Sequence, residues 1–96
     1  MREFMRGAVR LHILHHAAAG EVNGAWMRDE LARHGHDISP GTLYPALHRM
    51  QAEGLLTSTQ RTIDGRPVRL YTATAQGREV LALTKQALRE LADEVL

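Results

Sequence analysis

The segment Ile38-Ser39-Pro40-Gly41-Thr42-Leu43 decides how this chain folds, because each of its residues has a place at the start of a helix. With Ser39 at the N-cap, Pro40 takes the first helical position, where a missing N–H costs no hydrogen bond. Ile38 and Leu43 then fall on the two positions that close a hydrophobic staple. The pattern continues through Leu47 and Met50 and stops at Gly54. The inward stripe of this helix is Leu43, Leu47 and Met50. Pro45 lies inside it, where it removes the hydrogen bond to the Gly41 carbonyl and disfavours the helical conformation of Tyr44. A sequence that breaks its own propensity rule tends to do so at a functional position.

Upstream, residues 23–35 predict a short helix with Asn23 as its cap, Met27 and Leu31 as the inward pair and Gly35 as its stop. Before it, Phe4, Ala8, Leu11, Leu14 and Ala18 recur near a period of 3.6 and end at Gly20, which predicts a helix of about four turns. Downstream, residues 55–62 and 68–73 are rich in β-branched residues and flank Asp64-Gly65, the pattern of a hairpin. Pro67 at the edge of the second run predicts a loop wider than two residues. Thr74 then caps a last helix in which Leu81, Thr84, Leu88, Leu91 and Val95 recur at intervals of three and four. A small core cannot cover such a seam, so this face, with Leu11 of the first helix, is expected to pack on a second copy of the chain.

Composition narrows the function. The chain has 96 residues, so one domain is the expectation, with 44% hydrophobic residues and a formal net charge of only +1. The absence of Cys excludes disulfides, thiolate metal sites and cysteine nucleophiles. No apolar run approaches the roughly 20 residues of a membrane span and no signal-peptide core is present, so a cytoplasmic protein is expected. Of the 12 basic residues only Lys85 is lysine; the positive charge is almost all guanidinium, the group that makes two-pronged contacts to phosphate and guanine.

The order helix, helix, tight turn, helix, hairpin, long helix is that of a winged helix-turn-helix, mainly α with a small β-hairpin. Residues 1–74 form the DNA-binding part and 75–96 the dimerisation helix. The helix over residues 40–53 would lie in the DNA major groove. Its candidate contacts are Ser39, Gly41, Thr42, Tyr44, Pro45, His48 and Arg49, with hydroxyls for phosphates and Arg49 or His48 for base edges. On the hairpin, Arg61, Arg66 and Arg69 bracket a turn with only Asp64 against them and suit backbone or minor-groove contact.

The stretch from Ser39-Pro40-Gly41-Thr42-Leu43-Tyr44-Pro45 through Glu53-Gly54-Leu55-Leu56 strongly resembles the signature of the PadR family of bacterial transcriptional regulators. Arg6-Gly7, Asn23-Gly24, Tyr71-Thr72-Ala73-Thr74 and Ala75-Gln76-Gly77-Arg78 add to the likeness, although Asn23 stands where the family commonly has His. The resemblance implies a winged-helix homodimer of the short form. It also implies a repressor on a pseudo-palindromic double-stranded DNA operator, released by a small-molecule effector. No cofactor is expected. Trp26 and His15 are the candidate residues for a pocket that takes a small aromatic effector.

Two other readings stand beside this one. A winged helix can serve as a protein–protein adaptor, but the outward face of the third helix carries hydroxyls and cations where an adaptor would show an apolar patch. A metal-responsive regulator would use the histidines, since His12 and His16 are one helical turn apart with His15 beside them. No carboxylate within that helix completes a ligand set, so no metal is expected. On this reading His15 pads an interface, His12, His16, His34 and His36 are solvated, and Arg2, Arg6 and Arg10 form a solvated face. Ser39 is accounted for as a cap, and no phosphate loop or carboxylate pair stands at an obvious site, so an enzyme is not expected.

Overall fold

The computed structural model describes residues 1–96. In chain order the elements are α1 (Arg2–Ala19), β1 (Val22–Asn23), α2 (Gly24–Arg33), α3 (Pro40–Ala52), β2 (Leu56–Ile63), β3 (Arg66–Ala73) and α4 (Ala75–Val95). Both α2 and α3 end in the same way. After α2, the His36 N–H donates to the Leu31 carbonyl and the Gly35 N–H to that of Ala32; after α3, Leu55 donates to Met50 and Gly54 to Gln51. This paired closure needs a left-handed residue, and Gly35 and Gly54 supply it with φ of 85° and 82°.

The sheet is antiparallel in the order β1-β3-β2. Its first strand, only two residues long, has no sequence signature: Val22 pairs with Tyr71 and Asn23 with Leu70. Asn23 is also the cap of α2, its side-chain oxygen accepting from the Trp26 N–H at 2.7 Å. The hairpin departs from expectation, because its loop is only Asp64-Gly65, with Ile63 paired to Arg66 and Thr62 to Pro67. Both loop residues have positive φ, 52° and 76°, the conformation whose twist matches the strands. Antiparallel pairs alternate between bonded and non-bonded, and Pro67 occupies a non-bonded pair. Its missing N–H points away from β2, beyond the reach of β1, so no ladder bond is lost.

Thirteen side chains form the core, among them Ile13, Leu14 and Ala17 of α1, Met27 and Leu31 of α2, Leu43, Leu47 and Met50 of α3, and Leu55, Leu56, Tyr71, Ala73 and Leu81. Two expectations for α1 fail here. It is 18 residues long, about five turns, and its stripe does not start at Phe4, which is 63% exposed: Leu14 is buried and Leu11 and Ala18 pack on the core as expected, but Ile13 and Ala17 are buried beside them. The first turns of α1 simply extend past the core. Leu81 belongs to the chain's own core rather than to an open seam. From Ala82 onward no residue of α4 is buried.

Thr74 joins the two ends of the hairpin to α3 and α4. Its Oγ1 accepts from the Gly77 N–H at 2.9 Å and donates to the Gly54 carbonyl at 2.6 Å, while its N–H donates to the Leu55 carbonyl at 3.1 Å. Thr74→Ala is expected to lower stability by about 1–2 kcal/mol, through loss of the cap and of the Gly54 partner. Thr74→Ser should restore most of the loss in urea titrations, since the hydroxyl rather than the methyl carries the effect.

Candidate nucleic-acid interface

One side of α3, Leu43, Ala46, Leu47 and Met50, is buried. Gly41, Thr42, Tyr44, Pro45, His48 and Arg49 are exposed on the other side. The helix is anchored at its start through the Ser39 carbonyl, which accepts from Thr42 and Leu43 N–H groups at 3.0 and 2.9 Å. The Ser39 hydroxyl does not cap a backbone N–H as expected; it donates instead to Thr42 Oγ1 at 3.3 Å. Ile38 is half-buried and packs on the core, at the place the staple requires.

The exposed side of α3 has two flanks. Tyr44 and His48 face the base of the hairpin across a hollow of about 390 Å³ that also includes Pro67, Arg69 and Tyr71. Burial pushes the Tyr71 hydroxyl up, opposed by Arg69 and reinforced by Tyr44. Thr42 and Arg49 face the other way, into a groove of about 590 Å³ that Arg2, Arg6 and Arg10 of α1 also line. Arg2 and Arg6 are solvated as expected and Arg10 is half-buried, and all three lie along the groove beside α3. Arg10 reaches Glu53 at 2.9 Å, and Arg2 and Arg6 extend the cationic surface beside α3.

The three hairpin arginines separate. Arg69 lies on the face toward α3, donating to Ser58 Oγ at 3.0 Å and Gln60 Oε1 at 3.3 Å. Ser58 in turn donates to Gln51 of α3 at 3.0 Å. Arg61 and Arg66 lie on the opposite face, because residues an odd number apart along a strand point to opposite sides. Arg61 is engaged by Glu21 at 2.8 Å, so Asp64 is not the only carboxylate facing these cations. Arg49 and Arg66 form no ion pair within the chain.

Of the four histidines expected to be solvated, His34 is exposed, whereas His12, His16 and His36 are half-buried. His12 of α1 lies 5.1 Å from the ring of His34 and 5.2 Å from that of His36, and His16 lies 5.2 Å from Trp26. Burial, followed by the charges of His36, His34, His16 and His15, holds the His12 imidazole below its ordinary value. Burial and His15 do the same for His16, opposed by Glu30. His15 is exposed, near Lys85 Nζ at 3.4 Å. Trp26 is half-exposed and, like His15, lines neither the hollow nor the groove beside α3. Of the residues expected between copies, Leu11 is half-buried against the core. Thr84, Leu88, Leu91 and Val95 are exposed along α4, with the Thr84 hydroxyl donating to the Val80 carbonyl at 2.7 Å.

A capped helix presented outward over a helical core, with a two-stranded hairpin beside it, is a winged helix-turn-helix. Residues 13–83 match the transcriptional regulator PadR-like family, and the chain belongs to that family of DNA-binding transcriptional regulators, which are not enzymes. Over all 96 residues it is 64% identical to the transcriptional regulator Rv3488 of Mycobacterium tuberculosis (strain ATCC 25618 / H37Rv), covering 90% of that protein. Similar solved structures include a PadR-like transcriptional regulator from Bacillus cereus strain ATCC 14579, with a TM-score of 0.88 and 30% identity over 97% of this chain and 92% of that one. A PadR family transcriptional regulator from Eggerthella lenta DSM 2243 follows, with a TM-score of 0.85 and 30% identity over 97% and 82%. No helix is long and apolar enough to cross a membrane.

Tyr44 rests on Gly24: a Cβ there would lie 2.5 Å from its Cε1 and 2.9 Å from its Oη. At Gly77 a Cβ would instead meet the Leu55 backbone carbonyl. A half-exposed ring can swing away and a backbone carbonyl cannot. Gly77→Ala is thus expected to cost about 3 kcal/mol. Gly24→Ala should cost about 1 kcal/mol or less, since the gain in helix propensity offsets the moved ring. Chemical denaturation of the two variants checks the order.

Proposed function

We propose that the protein is a homodimer that binds double-stranded DNA sequence-specifically and represses transcription from a pseudo-palindromic operator. The observation that carries this reading is the outward side of α3, where hydroxyls and cations stand exposed between the hairpin and the arginines of α1. Thr42 and Tyr44 hold phosphates. Arg49 and His48 sit on opposite flanks of α3, so only one of them faces base edges at a given depth in the groove. Arg66 at the hairpin tip, and Arg2 and Arg6 beside α3, add contacts to flanking phosphates.

Residues 75–96 serve dimerisation. In support, Leu88, Leu91 and Val95 are exposed at heptad spacing, Val95 to 64%, on the part of α4 after Leu81, where no residue is buried. The seam begins after Leu81. Leu88→Asp combined with Leu91→Asp should give monomers or insoluble protein in sedimentation velocity, and a soluble dimeric double variant would remove this interface.

Two-fold symmetry places the paired α3 helices in successive major grooves, so the target is an inverted repeat with half-site centres roughly 10 bp apart or a multiple of that. Duplex from upstream of the protein's own gene should compete against random duplex in an anisotropy assay. Arg66→Ala should weaken binding to both and reduce the salt slope by roughly two, one phosphate contact per subunit. Equal affinity for the two duplexes, with an unchanged slope, would favour the adaptor function instead.

A further inference from the structure

The seam between α1 and α2 gathers side chains that α3 and the hairpin do not use. We propose that His12, His16, Glu30 and His34 bind one divalent transition-metal ion of the zinc class. The four residues are two pairs at i, i+4 spacing, one on α1 and one on α2 and its C-cap, the spacing that turns two donors to the same side of a helix. The packing of the helices brings the pairs together. Glu30 Oε2 lies 3.6 Å from His16 Nε2 and 3.4 Å from His34 Nε2. A tetrahedral ion with bonds of about 2.0–2.2 Å holds its donor atoms roughly 3.4 Å apart, so these atoms already stand at the spacing of two edges of such a site. The His12 ring lies 5.1 Å from that of His34 and 6.2 Å from that of His16, and supplies the fourth donor.

The carboxylate is oriented for this use. Arg33 Nη1 holds Glu30 Oε1 at 2.8 Å, leaving Oε2 to the imidazoles, and the Glu30 side chain is only 12% exposed. Such outer-sphere partners fix ligand orientation in metal sites. The left-handed Gly35 fixes the turn that follows His34. As the side chains stand, no three donors are gathered round one point; binding requires the His12 and His16 rings to turn toward Glu30 when the ion enters. Imidazole and carboxylate donors in a chain without Cys suit Zn²⁺, Co²⁺ or Ni²⁺, not the oxygen-only preference of Mg²⁺ or Ca²⁺. The donors span α1 and the start of the turn that leads into α3. An ion there would tie that turn to α1.

The site is tested on the full chain, independently of DNA. After chelator treatment, Zn²⁺ alone is titrated by calorimetry and by the fluorescence of Trp26, whose ring is 5.2 Å from His16; Co²⁺ is added to a separate metal-free sample and its visible spectrum recorded, because Zn²⁺ once bound outcompetes it. The expected result is one ion per chain and the intense ligand-field bands of tetrahedral Co²⁺. Glu30→Gln and His16→Gln should each weaken Zn²⁺ binding by more than about tenfold, and Arg33→Ala by about tenfold. Glu79→Gln, an exposed carboxylate of α4 outside the cluster, should retain the Zn²⁺ affinity of the parent. Weak binding that does not saturate at one ion per chain, octahedral Co²⁺ bands, or an affinity indifferent to Glu30→Gln would each overturn the proposal. If His16→Gln fails to fold, the parent spectrum and Glu30→Gln still decide.

Discussion

Where α3 hands over to the hairpin and the hairpin hands over to α4, the two crossings share a single patch of backbone. The Gly54 and Leu55 carbonyls are taken by the Thr74 side chain and N–H, and Gly77 lies flat against the Leu55 peptide. The rest of the structure depends on this junction. It fixes the direction in which the hairpin leaves α3, and so whether Arg69 lies beside His48. It also fixes the direction of α4, because Thr74 is both the end of the sheet and the cap of the helix. Leu55, Ala73 and Leu81, on the three segments that meet there, share the core with Met50 of α3. The exposed side of α3 is therefore set by contacts on its buried side, and a helix locked in this way reaches a ligand without reordering.

Much of this was legible because the signals were local. Ile38 to Leu43 carried a complete helix start, and Gly35 and Gly54 carried two helix ends with the same closure. Asn23 and Thr74 were legible as caps and are caps in the structure. Failures arose where a residue's role depends on what another element brings to it. Pro67 pointed to a wide loop because the sequence does not say that its N–H side is open. Ile13 lay outside the chosen stripe because α1 is covered on more than one side. Phe4 fitted the stripe but lies beyond the end of the core.

The candidate site follows the same division. Which residues of α3 face outward could be read from its period. That Arg49 and His48 serve opposite flanks, and that Arg2 and Arg6 join the first of these, needed the placement of α1. Arg66 and Arg69 were grouped as neighbours, although the two-residue period of a strand already separates them. The histidines were set aside for want of a carboxylate on α1. Glu30 lies on α2, and only the packing of the two helices brings it to His16 and His34.

The near-absence of lysine has a chemical consequence for regulation. Every full cation around α3 is a guanidinium, and Lys85 lies on α4 beside His15. Guanidinium stays protonated at any pH a cell reaches and is not a substrate for acetylation. The charge of that surface therefore cannot be switched off in place, whether by alkalinity or by acyl transfer. A surface built from lysine would be open to both changes; the arginines beside α3 keep their charge through either.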